Sequence, residues 1–200
     1  MVSSSNVTRR ICVFAGSHSG VRSVYADAAR QLGRSLVERD YGLVYGGGNV
    51  GLMGVIADAV LEARGYVIGV IPEPFVVKEV AHRGLSELRI VQSMHERKAV
   101  MAELSDGFIA LPGGIGTMEE FFEVLSWAQL GIHEKPCGLL NVCDYYQQIV
   151  KFLDHAVEQR FLKPQHRSLL IVEQEPQSLL NRFEQFAAPR VTKWFDRSKT

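Results

Sequence analysis

Seven short runs rich in valine and isoleucine recur along this 200-residue chain, at residues 10–16, 41–47, 66–72, 88–93, 106–114, 135–142 and 168–173. Each has the length and composition of a strand buried on both faces. The longer segments between them, 22–39, 50–64, 94–104, 117–131 and 144–159, carry their apolar residues at a helical period. This alternation restricts the fold to the α/β class, a three-layer sandwich with a mostly parallel sheet and helices on both faces. Right-handed crossovers then gather the loops that follow the strands along one edge, where open α/β sheets bind ligands.

A hydrophobic content of 46% supports one sizeable core, and no interior stretch has the composition of a linker, so residues 1–200 are expected to form a single domain. Flexible arms are expected at 1–9 and from about 190 to 200. The formal charge is zero and there is no basic block, which argues against nucleic-acid and anionic-membrane partners. The start of the chain lacks the apolar run of a signal peptide, and a cytoplasmic protein is the expectation. Cys12, Cys137 and Cys143 lie in or beside apolar runs and read as buried thiols; no metal site is expected. The helix expected from Thr117 carries Phe121, Phe122, Val124, Leu125, Trp127, Ala128, Leu130 and Ile132. So apolar a helix needs burial nearly all round, which points to a homodimer.

Glycine clusters follow three of the expected strands: AGSHSG at 15–20, GGGNVGLMG at 46–54 and PGGIGT at 112–117. Glycine lets backbone N–H groups converge on an anion, and a following helix N-terminus adds unpaired donors and a positive dipole end. Gly46, Gly48 and Gly51 also match the G-x-G-x-x-G spacing of a dinucleotide site, but they follow the second strand rather than the first. Neither GxxxxGK[ST] nor GxSxG occurs.

SMHERKAVM at 93–101 opens with a capping box, Ser93 with Glu96, which places Arg97 and Lys98 in or just past a first helical turn. Cations are disfavoured there by the helix dipole and call for an anion. That anion is either a carboxylate, Glu96 or Glu103, or a bound phosphate. Thr117 with Glu120 forms the same pattern, so Glu120 either caps a helix or faces a ligand. Glu119 and Glu120, about 100° apart on a helix, cannot both face one pocket. A carboxylate beside a phosphate loop suits a cationic, oxocarbenium-like ribosyl group.

PGGIGT with Glu120, GGGNVGLMG, SMHERKAVM and WAQLGIHEKP together resemble the Lonely Guy (LOG) family of cytokinin-activating phosphoribohydrolases, from about Ile11 to the last helix. The resemblance implies a Rossmann-like fold, a homodimer and no cofactor. It implies hydrolysis of cytokinin riboside 5′-monophosphates, with AMP as a further substrate, to free base and ribose 5-phosphate. Arg97 and Glu120 match the family's catalytic pair. Glu79, Lys98, Gly113, Gly114, Ile115, Gly116, Thr117, Met118, Glu119 and Ser126 match substrate-binding positions, with Ser126 standing where plant members carry threonine. Gly16, Ser17, Gly46, Gly47 and Gly48 are added as further nucleotide contacts. Residues 73–84 depart from the plant pattern and leave the base preference open. A general AMP nucleosidase, a non-catalytic nucleotide-binding protein and an NAD-dependent oxidoreductase are the competing readings. Members have been labelled lysine decarboxylases, yet no lysine here stands in a context suited to a pyridoxal Schiff base.

Overall fold

The computed structural model describes residues 7–76 and 81–189. Its strands are β1 (Arg9–Phe14), β2 (Tyr41–Tyr45), β3 (Val67–Pro72), β4 (Glu87–Val91), β5 (Gly107–Ala110), β6 (Cys137–Leu140) and β7 (Leu170–Glu173). They form one sheet in the order β4-β3-β2-β1-β5-β6-β7 with every pairing parallel. The helices are α1 (Ser23–Val37), α2 (Gly51–Glu62), α3 (Glu73–Val76), α4 (Met94–Glu103), α5 (Ile115–Gln129), α6 (Gln147–Glu158), α7 (Pro164–Arg167) and α8 (Pro176–Glu184). Each expected run contains a strand. β1 takes up Arg9, inside the stretch expected as an arm.

Alternation along β1 shows the three layers. Ile11 and Val13 join the core under α1, α2 and α8, while Cys12 and Phe14 join the core under α4, α5 and α6. β2 and β3 are buried throughout, as Val/Ile-rich central strands must be. β4 is an edge strand with an exposed middle, where Arg89 pairs with Glu87 at 2.6 Å. Connections run away from β1 in both directions, to β2 on one side and β5 on the other. A ligand crevice belongs outside the C-terminal ends of these strands.

Cys12 and Cys137 are buried as expected, but Cys143 is exposed because it sits in a left-handed turn after β6 rather than in the strand. α5 buries Phe121, Val124 and Ala128 and leaves Phe122, Leu125 and Trp127 half-buried, as is Leu130 just past its end. No helix among the described residues is long and apolar enough to cross a membrane.

His133 fastens the segment after α5. Its Nε2 hydrogen-bonds the Val124 carbonyl at 2.9 Å and its Nδ1 accepts from the Lys135 N–H at 3.1 Å. Burial pushes its pKa down from 6.5 to about 4, so the folded chain holds it neutral while the unfolded chain protonates it first. The resulting stability is full above pH 6.5 and is lost as pH falls toward about 4. We expect a loss on the order of 1–3 kcal/mol over that range, and a flatter melting-temperature profile in His133→Gln. Parallel profiles for the two proteins would contradict it.

Candidate active site

The three glycine loops meet at Gly16. Its N–H donates to the Pro112 carbonyl at 3.1 Å and its carbonyl accepts from the Leu52 N–H at 3.0 Å. The contact is too close for side chains. A Cβ on Gly51, which has φ +55°, would lie 2.3 Å from the His18 backbone nitrogen. Gly51→Ala is therefore expected to cost about 2 kcal/mol or more, read by chemical denaturation, because strained backbone and backbone clash add. An unchanged midpoint would show that the loops do not depend on one another.

A cavity of about 300 Å³ opens between these loops, lined by Gly16, Ser17, Tyr25, Gly113, Gly114 and Tyr145. A wider groove of about 640 Å³ on the other side of Tyr145 is lined by Ile115, Met118, Glu119, Phe122 and Ile149, with Gly113 and Gly114 shared. The helix N-termini along this edge differ. Those of α1, α2 and α5 have no side-chain cap and no acidic residue in the first turn. α4 is capped: Ser93 Oγ accepts from the Glu96 N–H at 3.1 Å and Glu96 Oε2 accepts from the Gln92 N–H at 2.7 Å. Only an uncapped end keeps donors and dipole for an anion. At α5, Gly114, Ile115 and Gly116 are all exposed.

The second expected capping box does not form. α5 begins at Ile115 with Gly114 in the N-cap position, so Thr117 lies inside the first turn, buried against Gly113. The early start follows from the glycine pair, and it leaves Glu120 uncommitted to capping. The Glu120 Oε1 atom instead lies 3.8 Å from Arg97 Nη1, with both side chains largely buried. Arg97 is fixed on its other edge: Nε donates to the Val70 carbonyl at 3.1 Å and Nη2 to the Gly46 carbonyl at 3.2 Å. Lys98 pairs with Glu119 and, at 3.1 Å, with Glu123. Burial alone would lower the Lys98 pKa, but the hydrogen bonds it donates to these two carboxylates outweigh it and hold the pKa above the ordinary lysine value. The anions that answer the α4 cations thus come from α5, rather than from Glu96 or Glu103. Glu119 and Glu120 diverge, each toward its own cation.

Of the residues expected at the site, Gly16, Ser17, Gly113 and Gly114 line the cavity, and Ile115, Met118 and Glu119 line the groove. Gly46, Gly47 and Gly48 are buried, and Gly46 gives its carbonyl to Arg97. Ser126 is exposed, donates to the Phe122 carbonyl at 2.7 Å and lies outside both linings. Glu79 falls outside the described residues; the chain resumes at Ala81, bridged to Gly48, and the His82 N–H donates to Gly47. Tyr25 and Tyr145 in the cavity wall and Tyr146 in the groove wall are marked by no glycine, charge or capping pattern.

The family model described as possible lysine decarboxylase matches residues 53–183. The rice protein LOGL9 (Oryza sativa subsp. japonica), named a probable cytokinin riboside 5′-monophosphate phosphoribohydrolase, is 54% identical over 178 residues, 89% of this chain and 78% of that protein. The cytokinin riboside 5′-monophosphate phosphoribohydrolase LOG3 of Arabidopsis thaliana is 50% identical over 179 residues, 90% of this chain and 83% of that one. The chain belongs to the LOG family. At fold level it also resembles the molybdenum cofactor carrier protein of Chlamydomonas reinhardtii, with TM-score 0.69 and 20% identity over 88% of this chain and 96% of that one. Lysine chemistry is a poor match to this LOG-family site, since Lys98, its buried lysine, is held as an ammonium ion between two carboxylates.

Proposed function

We propose that this chain hydrolyses the N-glycosidic bond of cytokinin riboside 5′-monophosphates, and of AMP, to free base and ribose 5-phosphate. The observation that carries this reading is the Arg97–Glu120 pair, with Glu120 the sixth residue of α5, the helix whose N-terminus is uncapped. Backbone donors of Gly114, Ile115 and Gly116 receive the 5′-phosphate, with Ser17 across the cavity. Arg97, held by two carbonyls, orients Glu120. As the bond from C1′ to the base lengthens, its electron pair leaves with the base, which takes up a proton. Glu120 faces the positive charge growing at C1′ and aligns the water whose oxygen bonds there. One of the water's protons stays on the new C1′ hydroxyl and the other makes up for the proton taken by the base, which balances the hydrolysis.

The groove beside the phosphate loop is walled by Ile115, Met118, Phe122 and Ile149, which supports an apolar substituent on the base. Isopentenyladenosine 5′-monophosphate should therefore be cleaved with a higher kcat/KM than AMP, both followed by chromatography of the released base. Absence of base from either nucleotide would overturn the reading. The half-buried Phe122, Leu125 and Trp127 of α5, with Leu130 just past its end, support a homodimer joined through this helix. Sedimentation is expected to give twice the chain mass at micromolar concentration, and a monomer would refute the pairing.

A further inference from the structure

Between β6 and α6 the backbone is strained. Cys143 and Asp144, two consecutive residues other than glycine, have φ of 49° and 60°. Such conformations persist only where the surroundings impose them, and they gather at functional sites. The surroundings here do impose them: Asp144 Oδ1 accepts from Gln174 Nε2 at 2.9 Å, and Asn141 Oδ1 accepts from the Tyr146 N–H at 2.7 Å. What the turn achieves is the aim of the two tyrosines that follow it. Tyr146 Oη donates to the Leu111 carbonyl at 2.5 Å and Tyr145 Oη to the Gly113 carbonyl at 2.6 Å. These two carbonyls bracket the Pro112–Gly113 step of the phosphate loop.

We propose that Tyr145 is a positioning residue for the substrate's phosphate, acting through the Gly113–Gly114 peptide. A trans peptide holds its C=O and N–H antiparallel, so a hydroxyl that fixes the Gly113 carbonyl also fixes the direction of the Gly114 N–H. Glycine on both sides of that peptide offers little resistance to rotation by itself. Tyr145 is braced for this role, edge-on to Tyr25 at 5.7 Å and to Tyr146 at 4.9 Å between ring centroids. Tyr25 belongs to α1 and packs on Gly20, so the brace ties the loop after β5 to the loop after β1. Tyr146 is buried and serves the fold; Tyr145 remains 43% exposed in the wall shared by cavity and groove.

The inference rests on the hydrolase reading for its substrate, and Tyr145→Phe tests it because only the hydroxyl is lost. A phosphate contact present in both ground and transition states acts on KM, so KM for isopentenyladenosine 5′-monophosphate should rise about tenfold with kcat nearly unchanged. Calorimetric affinity for ribose 5-phosphate, which needs no turnover, should fall by about the same factor. The melting temperature should drop by no more than about 3 °C. Unchanged ribose 5-phosphate affinity, or a fall in kcat at constant KM, would overturn the assignment. Absence of turnover in the unsubstituted protein alongside a weakened ribose 5-phosphate affinity in the variant would defeat the hydrolase reading and leave Tyr145 in place.

Discussion

Glu120→Gln is expected to lower kcat by at least about 10²- to 10³-fold while leaving the protein folded. The substitution keeps the shape of the side chain and removes the charge that, in the proposed reaction, answers the developing ribosyl cation. Glu120 lies 3.8 Å from Arg97 and does not cap α5, so a neutral amide can occupy the same space without unfastening the helix. Steady-state turnover of isopentenyladenosine 5′-monophosphate, with a melting curve as control, reads both halves of the expectation. Near-normal turnover would make Glu120 a structural partner of Arg97 and nothing more.

Arg97→Ala should be worse in both respects. The guanidinium satisfies the carbonyls of Val70 and Gly46 with separate nitrogens and presents a third to Glu120. Truncation leaves two buried carbonyls without their donor and removes the cation facing a nearly buried carboxylate, at a cost of about 3–5 kcal/mol. Activity should fall at least as far as in Glu120→Gln, because the carboxylate loses the group that orients it. Arg97→Lys is expected to recover part of the stability and little of the activity, since one ammonium cannot match a planar fork that serves two carbonyls and faces a carboxylate in different directions. Denaturant midpoints and turnover of the three proteins check the order. An Arg97→Ala protein as stable as its parent would contradict the anchoring.

Much of this architecture was legible in the Val/Ile runs, because parallel central strands leave an uninterrupted apolar record. The helix starts were harder to read. Ser93 with Glu96 and Thr117 with Glu120 are the same pattern, yet only the first caps a helix, its Glu96 reaching back to the Gln92 N–H one residue before the cap. The difference lies upstream, where Gly113 and Gly114 let α5 start at Ile115 and carry Thr117 into the helix. The cluster at Gly46–Gly48 read as a phosphate cradle, but a Cβ on Gly46 would stand 1.9 Å from Arg97 Nη2, so this glycine makes room for a guanidinium. Arg97 meets Gly46 across 51 positions and Val70 across 27, contacts that no local spacing encodes. Tyr145 carries no sequence mark for the same reason, since its meaning depends on a carbonyl 32 residues earlier.

The central claim is that a phosphate anchored on the α5 N-terminus places the C1′ carbon against Glu120. Its most direct test compares isopentenyladenosine 5′-monophosphate with the corresponding nucleoside, which lacks only the phosphate, measuring free base and ribose product together. The account predicts equal amounts of base and ribose 5-phosphate from the monophosphate, and cleavage of the nucleoside slower by about 10²-fold or more, because remote binding energy is lost with the phosphate. Comparable cleavage of the two substrates would contradict it.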